Sequence, residues 1–277
     1  MRMATEPHIV SIDEIREAAS RIRGVATRTP LLRWDDTTWL KPESLQPVGA
    51  FKMRGAYNKI ASLTDAERAR GVVTYSSGNH AQAVARAARL LGAQAVICMP
   101  RDAPRVKIEG VERDDAEIQF TGMDSEERHL LALRLVEERG LVMVEPYDDP
   151  AIIAGQGTCG LEIVEDLPRV TSVLIPTSGG GLSAGVATAV RALVPGARIY
   201  GVEPELAADA KDERAKRRYE RMEKAWRDLA KTQAWLDGKA GLDGERDECS
   251  TVIACCVGIF LPTPFSRHGS VRSKMNW

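Results

Sequence analysis

The chain has 277 residues with 44% hydrophobic content, enough to bury a full core in one large or two modest domains. Its 38 basic and 39 acidic side chains nearly cancel, so bulk charge gives no ground for a nucleic-acid or membrane-surface partner and leaves a small molecule as the default ligand. Five cysteines form no C-x-x-C pair, the N-terminus lacks an apolar signal core, and the longest apolar run, 251–261, is too short to span a bilayer; a reduced, cytoplasmic setting is expected.

In chain order, Ser11 with Glu14 makes a capping box that predicts a helix over 12–23, stopped by Gly24. A second capping box begins at Thr64 with Glu67. From Gly71 short β-rich runs alternate with helical stretches: VVTY, a helix over 81–91, AVICM, EIQF, a helix over 126–139, LVMVEP, a helix over 151–166, SVLIP, a helix over 183–193, and RIYGVE. Continuous apolar strands separated by helices predict an α/β fold with a parallel sheet covered on both faces. After Ala210 the composition changes: 14 of the 21 residues over 211–231 are charged, and Tyr219, Met222, Trp226 and Leu229 form a narrow apolar stripe, which predicts an exposed amphipathic helix. The remainder reads as a loop, the apolar run and an irregular tail.

Four segments could carry chemistry. Lys52 follows Phe51 and lies between Gly49 and Gly55, where partial desolvation would make its amine a nucleophile for an aldehyde, although most lysines are surface residues. Ser76-Ser77-Gly78-Asn79-His80 follows a strand and precedes a helix. Hydroxyls, an amide and unpaired helix N–H groups there suit a carboxylate, while the plain alternative is a turn capped by Asn79. Thr177-Ser178-Gly179-Gly180-Gly181-Leu182 has three glycines, so successive backbone N–H groups can turn inward and hold a phosphate. The same loop also fits the dinucleotide pattern G-x-G-x-x-A through Gly179, Gly181 and Ala184, with Glu203 about twenty residues later as a ribose-binding acid; an oxidoreductase is therefore a rival reading. Last, Glu203 and Asp209, with the Ala207 carbonyl between them, could ligate Mg²⁺ or Ca²⁺, or could be ordinary surface acids.

Taken in order, KPESLQPVGAFKMRGAYNKI, SSGNHAQAVA, IIAGQGTCGLEI, TSGGGLSAG and YGVEPELAADA resemble the fold-type II pyridoxal-phosphate enzymes, specifically the serine/threonine dehydratases and serine racemases. The resemblance runs over about 8–210. It implies two open parallel-sheet α/β domains with the cofactor between them: a discontinuous large domain over 1–71 and 147–210, and a small domain over 72–146. By the same resemblance, Lys52 matches the lysine that forms a Schiff base with pyridoxal 5'-phosphate, and Phe51 the aromatic beside the ring. Asn79 matches the amide bonded to the ring's phenolic oxygen, and Ser178, Gly179, Gly180, Gly181 and Leu182 the phosphate cradle. The loop Ser76, Ser77, Gly78, Asn79, His80 would take the substrate carboxylate. Glu203, Ala207 and Asp209 match a divalent-cation site found in part of the family.

The implied reaction is loss of ammonia from L-serine, L-threonine or a related 3-hydroxyamino acid. Ser77 opens racemisation as an alternative, because racemases place a serine opposite the lysine. A homodimer is implied, if the C-terminal region permits it. After about Ala210 the resemblance stops, and no S-G-G-N-like segment supplies the family's partner for the pyridine nitrogen. Residues 211–277 are therefore expected to be either a divergent ending or, by preference, foreign or out-of-frame sequence joined to a truncated enzyme, which leaves a non-catalytic remnant as a further reading.

Overall fold

The computed structural model describes residues 8–202 and 251–256. The chain begins with α1 (Ile12–Arg21), β1 (Leu32–Arg33), β2 (Thr38–Pro42), a 3-10 turn at Glu43–Leu45, α2 (Lys52–Ala61) and α3 (Asp65–Arg70). It continues through β3 (Val72–Tyr75), α4 (Asn79–Leu90), β4 (Ala95–Pro100), α5 (Arg105–Glu112), β5 (Glu117–Thr121), α6 (Ser125–Arg139) and β6 (Val142–Met143). Then come α7 (Pro150–Asp166), β7 (Ser172–Pro176), α8 (Gly181–Leu193), β8 (Arg198–Val202) and β9 (Val252–Cys256).

Both anticipated capping boxes form: the Glu14 N–H donates to Ser11 Oγ while the Ser11 N–H donates to the Glu14 carboxylate, and Thr64 and Glu67 repeat the arrangement. Gly24 lies just beyond α1 with φ +79, a backbone state that favours glycine.

The strands make two sheets. A four-stranded sheet has the order β5-β4-β3-β6 and is entirely parallel. A five-stranded sheet has the order β1-β2-β9-β7-β8 and is parallel except for the β1–β2 pair. Parallel strands need helical crossovers, and the intervening helices cover the sheets, which explains why β4 is buried at every position. The architecture is the expected α/β class.

One expectation is corrected. The run beginning at Thr251 was given no element, yet Val252–Cys256 forms β9, paired in parallel with β2 on one side and β7 on the other. Ile253 is fully buried in the cluster that contains Val173, Ile175 and Val186. A short continuous apolar run carries no periodicity that separates strand from helix, so this pairing has no readable signal in the sequence. The charged helix expected over 211–231 and the last twenty-one residues, 257–277, lie outside the described residues.

Helix α7 holds the scaffold together. A Cβ on Gly155 would come within 2.6 Å of the Gly55 Cα, and one on Gly157 within 2.9 Å of the Gly185 carbonyl oxygen. Glycine thus lets α2 and α8 approach α7 at backbone distance, and these are the helices that start at Lys52 and at the triple-glycine loop.

Candidate active site

Lys52 is the first residue of α2, and Gly49 makes the preceding turn with φ +69. Its side chain is half-buried, donates to the Pro146 carbonyl oxygen at 2.5 Å and lies 5.3 Å from the Phe51 ring centroid. Two residues on, Arg54 is fully buried in a cluster that nothing in the sequence announced. Its guanidinium donates to both oxygens of Glu43, to both oxygens of Glu162, to Thr158 Oγ1 and to the Thr27 carbonyl. Lys41, also fully buried, donates to Glu162 at 2.6 Å and to the Thr29 carbonyl, while Thr29 and Gln46 donate to Glu43. Two cations thus face two carboxylates, with hydrogen bonds on nearly every remaining lone pair, the condition under which buried charge is tolerated. The pairing with Glu43 and Glu162 raises the Arg54 pKa against the opposing effect of burial. The cluster joins the end of β2, the start of α2 and the middle of α7, and it fixes where Lys52 emerges.

The loop after β3 divides its residues. Ser77 is exposed, Ser76 Oγ accepts from the Gly78 N–H, and Gly78 rather than Asn79 is the N-cap of α4, with no side-chain cap. Asn79 is instead the first helical residue, and its side-chain oxygen accepts from Lys107 Nζ on α5. The His80 ring turns inward: Nε2 lies 3.2 Å from the Val144 carbonyl oxygen, and Nδ1 is buried with no partner among the described residues. Nε2 facing a carbonyl oxygen must carry the proton. Burial, followed by the charge of Lys52, pushes the His80 pKa down to about 3, so the ring is neutral.

The loop after β7 packs on Tyr147. A Cβ on Gly179 would meet the tyrosine ring at 2.4 Å, and one on Gly181 would lie 2.9 Å from the Tyr147 carbonyl oxygen. Gly180 has φ +90 and is the N-cap of α8, so its flanking N–H groups sit at a helix N-terminus. Ser178 is exposed and Leu182 is buried.

Three separately predicted motifs therefore meet on one short segment: His80 on Val144, Lys52 on Pro146, and Gly179 with Gly181 on Tyr147. The sequence places Val144, Glu145 and Pro146 in a longer strand, LVMVEP, that ends before Tyr147. Only Val142 and Met143 pair as strand, and Pro146 has no N–H with which to extend the ladder. The proposed cation ligands Glu203, Ala207 and Asp209 lie outside the described residues; among those described, no group of His, Cys, Asp and Glu could hold a metal ion. No helix among the described residues is long and apolar enough to cross a membrane.

Residues 22–240 match the family model for pyridoxal-phosphate dependent enzymes. The chain belongs to that family. It is 45% identical over 204 residues to an L-threonine ammonia-lyase of Thermotoga maritima, which covers 71% of this chain and 51% of the relative. It is 42% identical over 206 residues to a catabolic L-threonine dehydratase of Staphylococcus aureus, covering 72% of this chain and 60% of the relative. Among solved structures, a maize serine racemase superposes with a TM-score of 0.70 at 41% identity, over 73% of this chain and 64% of that one. The chain thus spans about half to three fifths of the length of these curated relatives. Its fold is that of the fold-type II enzymes.

The described residues fit the family's coenzyme. Pyridoxal 5'-phosphate requires an amine for its aldehyde, a donor toward its ring oxygen and N–H groups for its phosphate. Lys52 supplies an amine at a helix start and Asn79 an amide whose oxygen is already engaged. The glycine loop supplies a cradle too tight for any side chain at 179, and His80 Nδ1 is a buried acceptor without a donor.

Proposed function

We propose that this chain is an ammonia-lyase that converts L-serine, L-threonine or a related 3-hydroxyamino acid to a 2-oxo acid and ammonia. The observation that carries the reading is the convergence of the Lys52 amine, the His80 ring and the triple-glycine turn on Val144–Tyr147. Lys52 would hold the coenzyme, Asn79 would face its ring oxygen, and the N–H groups over 178–182 would hold its phosphate. When bound, the coenzyme acidifies the substrate's Cα proton by withdrawing electrons from that carbon.

The chain's own residues account for the rest. Ser76, Ser77 and the uncapped N–H groups at the start of α4 receive the substrate carboxylate, which favours a helix N-terminus with no acid in its first turn. Lys52 Nζ would be the base that accepts the Cα proton. His80 remains neutral, so no second fixed charge competes with that amine. The nucleotide-dependent oxidoreductase is set aside: it leaves Lys52, Asn79 and His80 without work, although Gly179 and Gly181 satisfy its spacing.

Racemisation of serine is the second reading. It rests on Ser77, which is exposed in the loop before α4 and would supply a second proton-carrying group in addition to Lys52. Incubation with L-serine and L-threonine, with 2-oxo acid and D-enantiomer both measured, separates the two. Elimination predicts oxo acid that survives Ser77→Ala, and racemisation predicts D-serine that Ser77→Ala abolishes. Neither product from a coenzyme-loaded protein would refute both.

We further propose that the two sheets are the cores of a large and a small domain flanking the substrate cleft, and that two copies pair as a homodimer. Glu203, Ala207 and Asp209 would bind Mg²⁺ or Ca²⁺, on the strength of their spacing. A cytoplasmic setting suits the buried thiols Cys98 and Cys159.

A further inference from the structure

Helices α4 and α5 pack in a fixed parallel register in which contacting residues stand 28 apart. Arg86 Nε pairs with the buried carboxylate of Asp114 at 2.6 Å, and Gly110 lies so close to Gln82 that a Cβ would come within 2.3 Å of its amide nitrogen. Lys107 and Asn79 are the third pair in that register, with Nζ 2.5 Å from Oδ1. The ion pair and the glycine contact set the offset, and the offset delivers Lys107 to the first turn of α4.

That placement is electrostatically unfavourable by itself. A helix N-terminus carries partial positive charge and repels a cation, and α4 has no acidic residue in its first turn to offset it. Among the described residues no carboxylate pairs with Lys107, and its partial burial lowers its pKa. An ammonium has donors only, so the Asn79 atom beside it must be the oxygen. The amide orientation, which is ambiguous for most asparagines, is therefore settled by its neighbour.

We propose that Lys107 is a positioning residue: its ammonium holds the Asn79 oxygen and thereby presents the Asn79 NH₂ group to the ring oxygen of the coenzyme. The inference rests on the pyridoxal-phosphate reading of the site. It also explains why Asn79 does not cap its own helix, a role for which its residue type is well suited.

Coenzyme affinity is measured by titrating apoprotein with pyridoxal 5'-phosphate, for wild type, Lys107→Met, Asn79→Ala and the double variant, together with the pH titration of the bound coenzyme's absorbance. Lys107→Met should weaken binding about 10-fold, the scale of one hydrogen bond to a charged group. It should also displace the absorbance titration in the same direction as Asn79→Ala. The double variant should bind no worse than Asn79→Ala, because Lys107 acts only through that amide, and Lys107→Arg should recover most of the loss. Fully multiplied losses in the double variant, or a lower Tm with unchanged affinity and titration, would overturn the inference. Normal binding by both wild type and Lys107→Met would overturn it and leave the proposed function standing, whereas wild type that takes up no coenzyme removes both.

Discussion

The two sheets are assembled in opposite ways. The four-stranded sheet takes β3 to β6 from one continuous stretch, with α4, α5 and α6 as crossovers between its strands, although its β3–β6 pairing of Val72 with Val142 still spans 70 positions. The five-stranded sheet collects β1 and β2, then β7 and β8, and sets β9 between the two pairs. Its side of the molecule also carries the buried Lys41, Glu43, Arg54 and Glu162 cluster, whose Lys41–Glu162 pair spans 121 positions of sequence. The comparison teaches that a sheet drawn from one stretch is held by its own crossovers, with polar contacts such as Arg86–Asp114 made within that stretch, whereas one drawn from separated segments is fastened by a polar cluster reaching across the chain, and it is on the fastened side that Lys52 emerges.

Breaking the fastening should give the largest effect. Glu43→Ala leaves Arg54 buried without half of its carboxylate partners and should cost about 3–5 kcal/mol in urea unfolding. A loss under about 1 kcal/mol would mean that the cluster does not hold the five-stranded side. Ile253→Ala, which opens a cavity in the apolar cluster of Val173, Ile175 and Val186, should cost about 2–5 kcal/mol. The matching test on the other side is Ile97→Ala on β4, also fully buried. Equal losses at both sites would show that β9 is as integral to its sheet as β4 is to its own, and a negligible loss at Ile253 alone would remove β9 from the core.

Acid sharpens the contrast from the four-stranded side. The folded pKa of His80 lies at about 3, below its ordinary value of 6.5, so the unfolded chain binds the extra proton between those values. Stability from this group is complete above pH 6.5 and falls with acidification by up to about 1.4 kcal/mol per pH unit. His80→Gln should flatten that slope in urea titrations run from pH 7 to pH 4, and an unchanged slope would move the acid sensitivity elsewhere.

Much of this was legible in sequence, and the boundary has physical causes. The capping boxes at Ser11 and Thr64 and the strands VVTY, AVICM and SVLIP are local signals, and local signals survive in one dimension. The chemistry-bearing loops were visible because three glycines in a row, or S-S-G-N-H between a strand and a helix, are hard to explain as surface. Lys41, Glu43 and Arg54 gave no such sign. A charged residue in a short strand or helix looks solvated until its partner is known, and Glu162 lies on another helix. Lys107 was missed for the same reason, on an eight-residue helix the sequence did not reveal. Val144 to Pro146 were absorbed into the expected strand LVMVEP because they meet His80 and Lys52 through backbone carbonyls, which leave no mark in sequence.

The central claim is that Lys52 holds pyridoxal 5'-phosphate. Coenzyme-loaded protein is reduced with borohydride, digested and mapped by mass spectrometry. The account predicts a phosphopyridoxyl mass on the peptide containing Lys52, lost in Lys52→Ala; the label on another lysine, or on none, would contradict it.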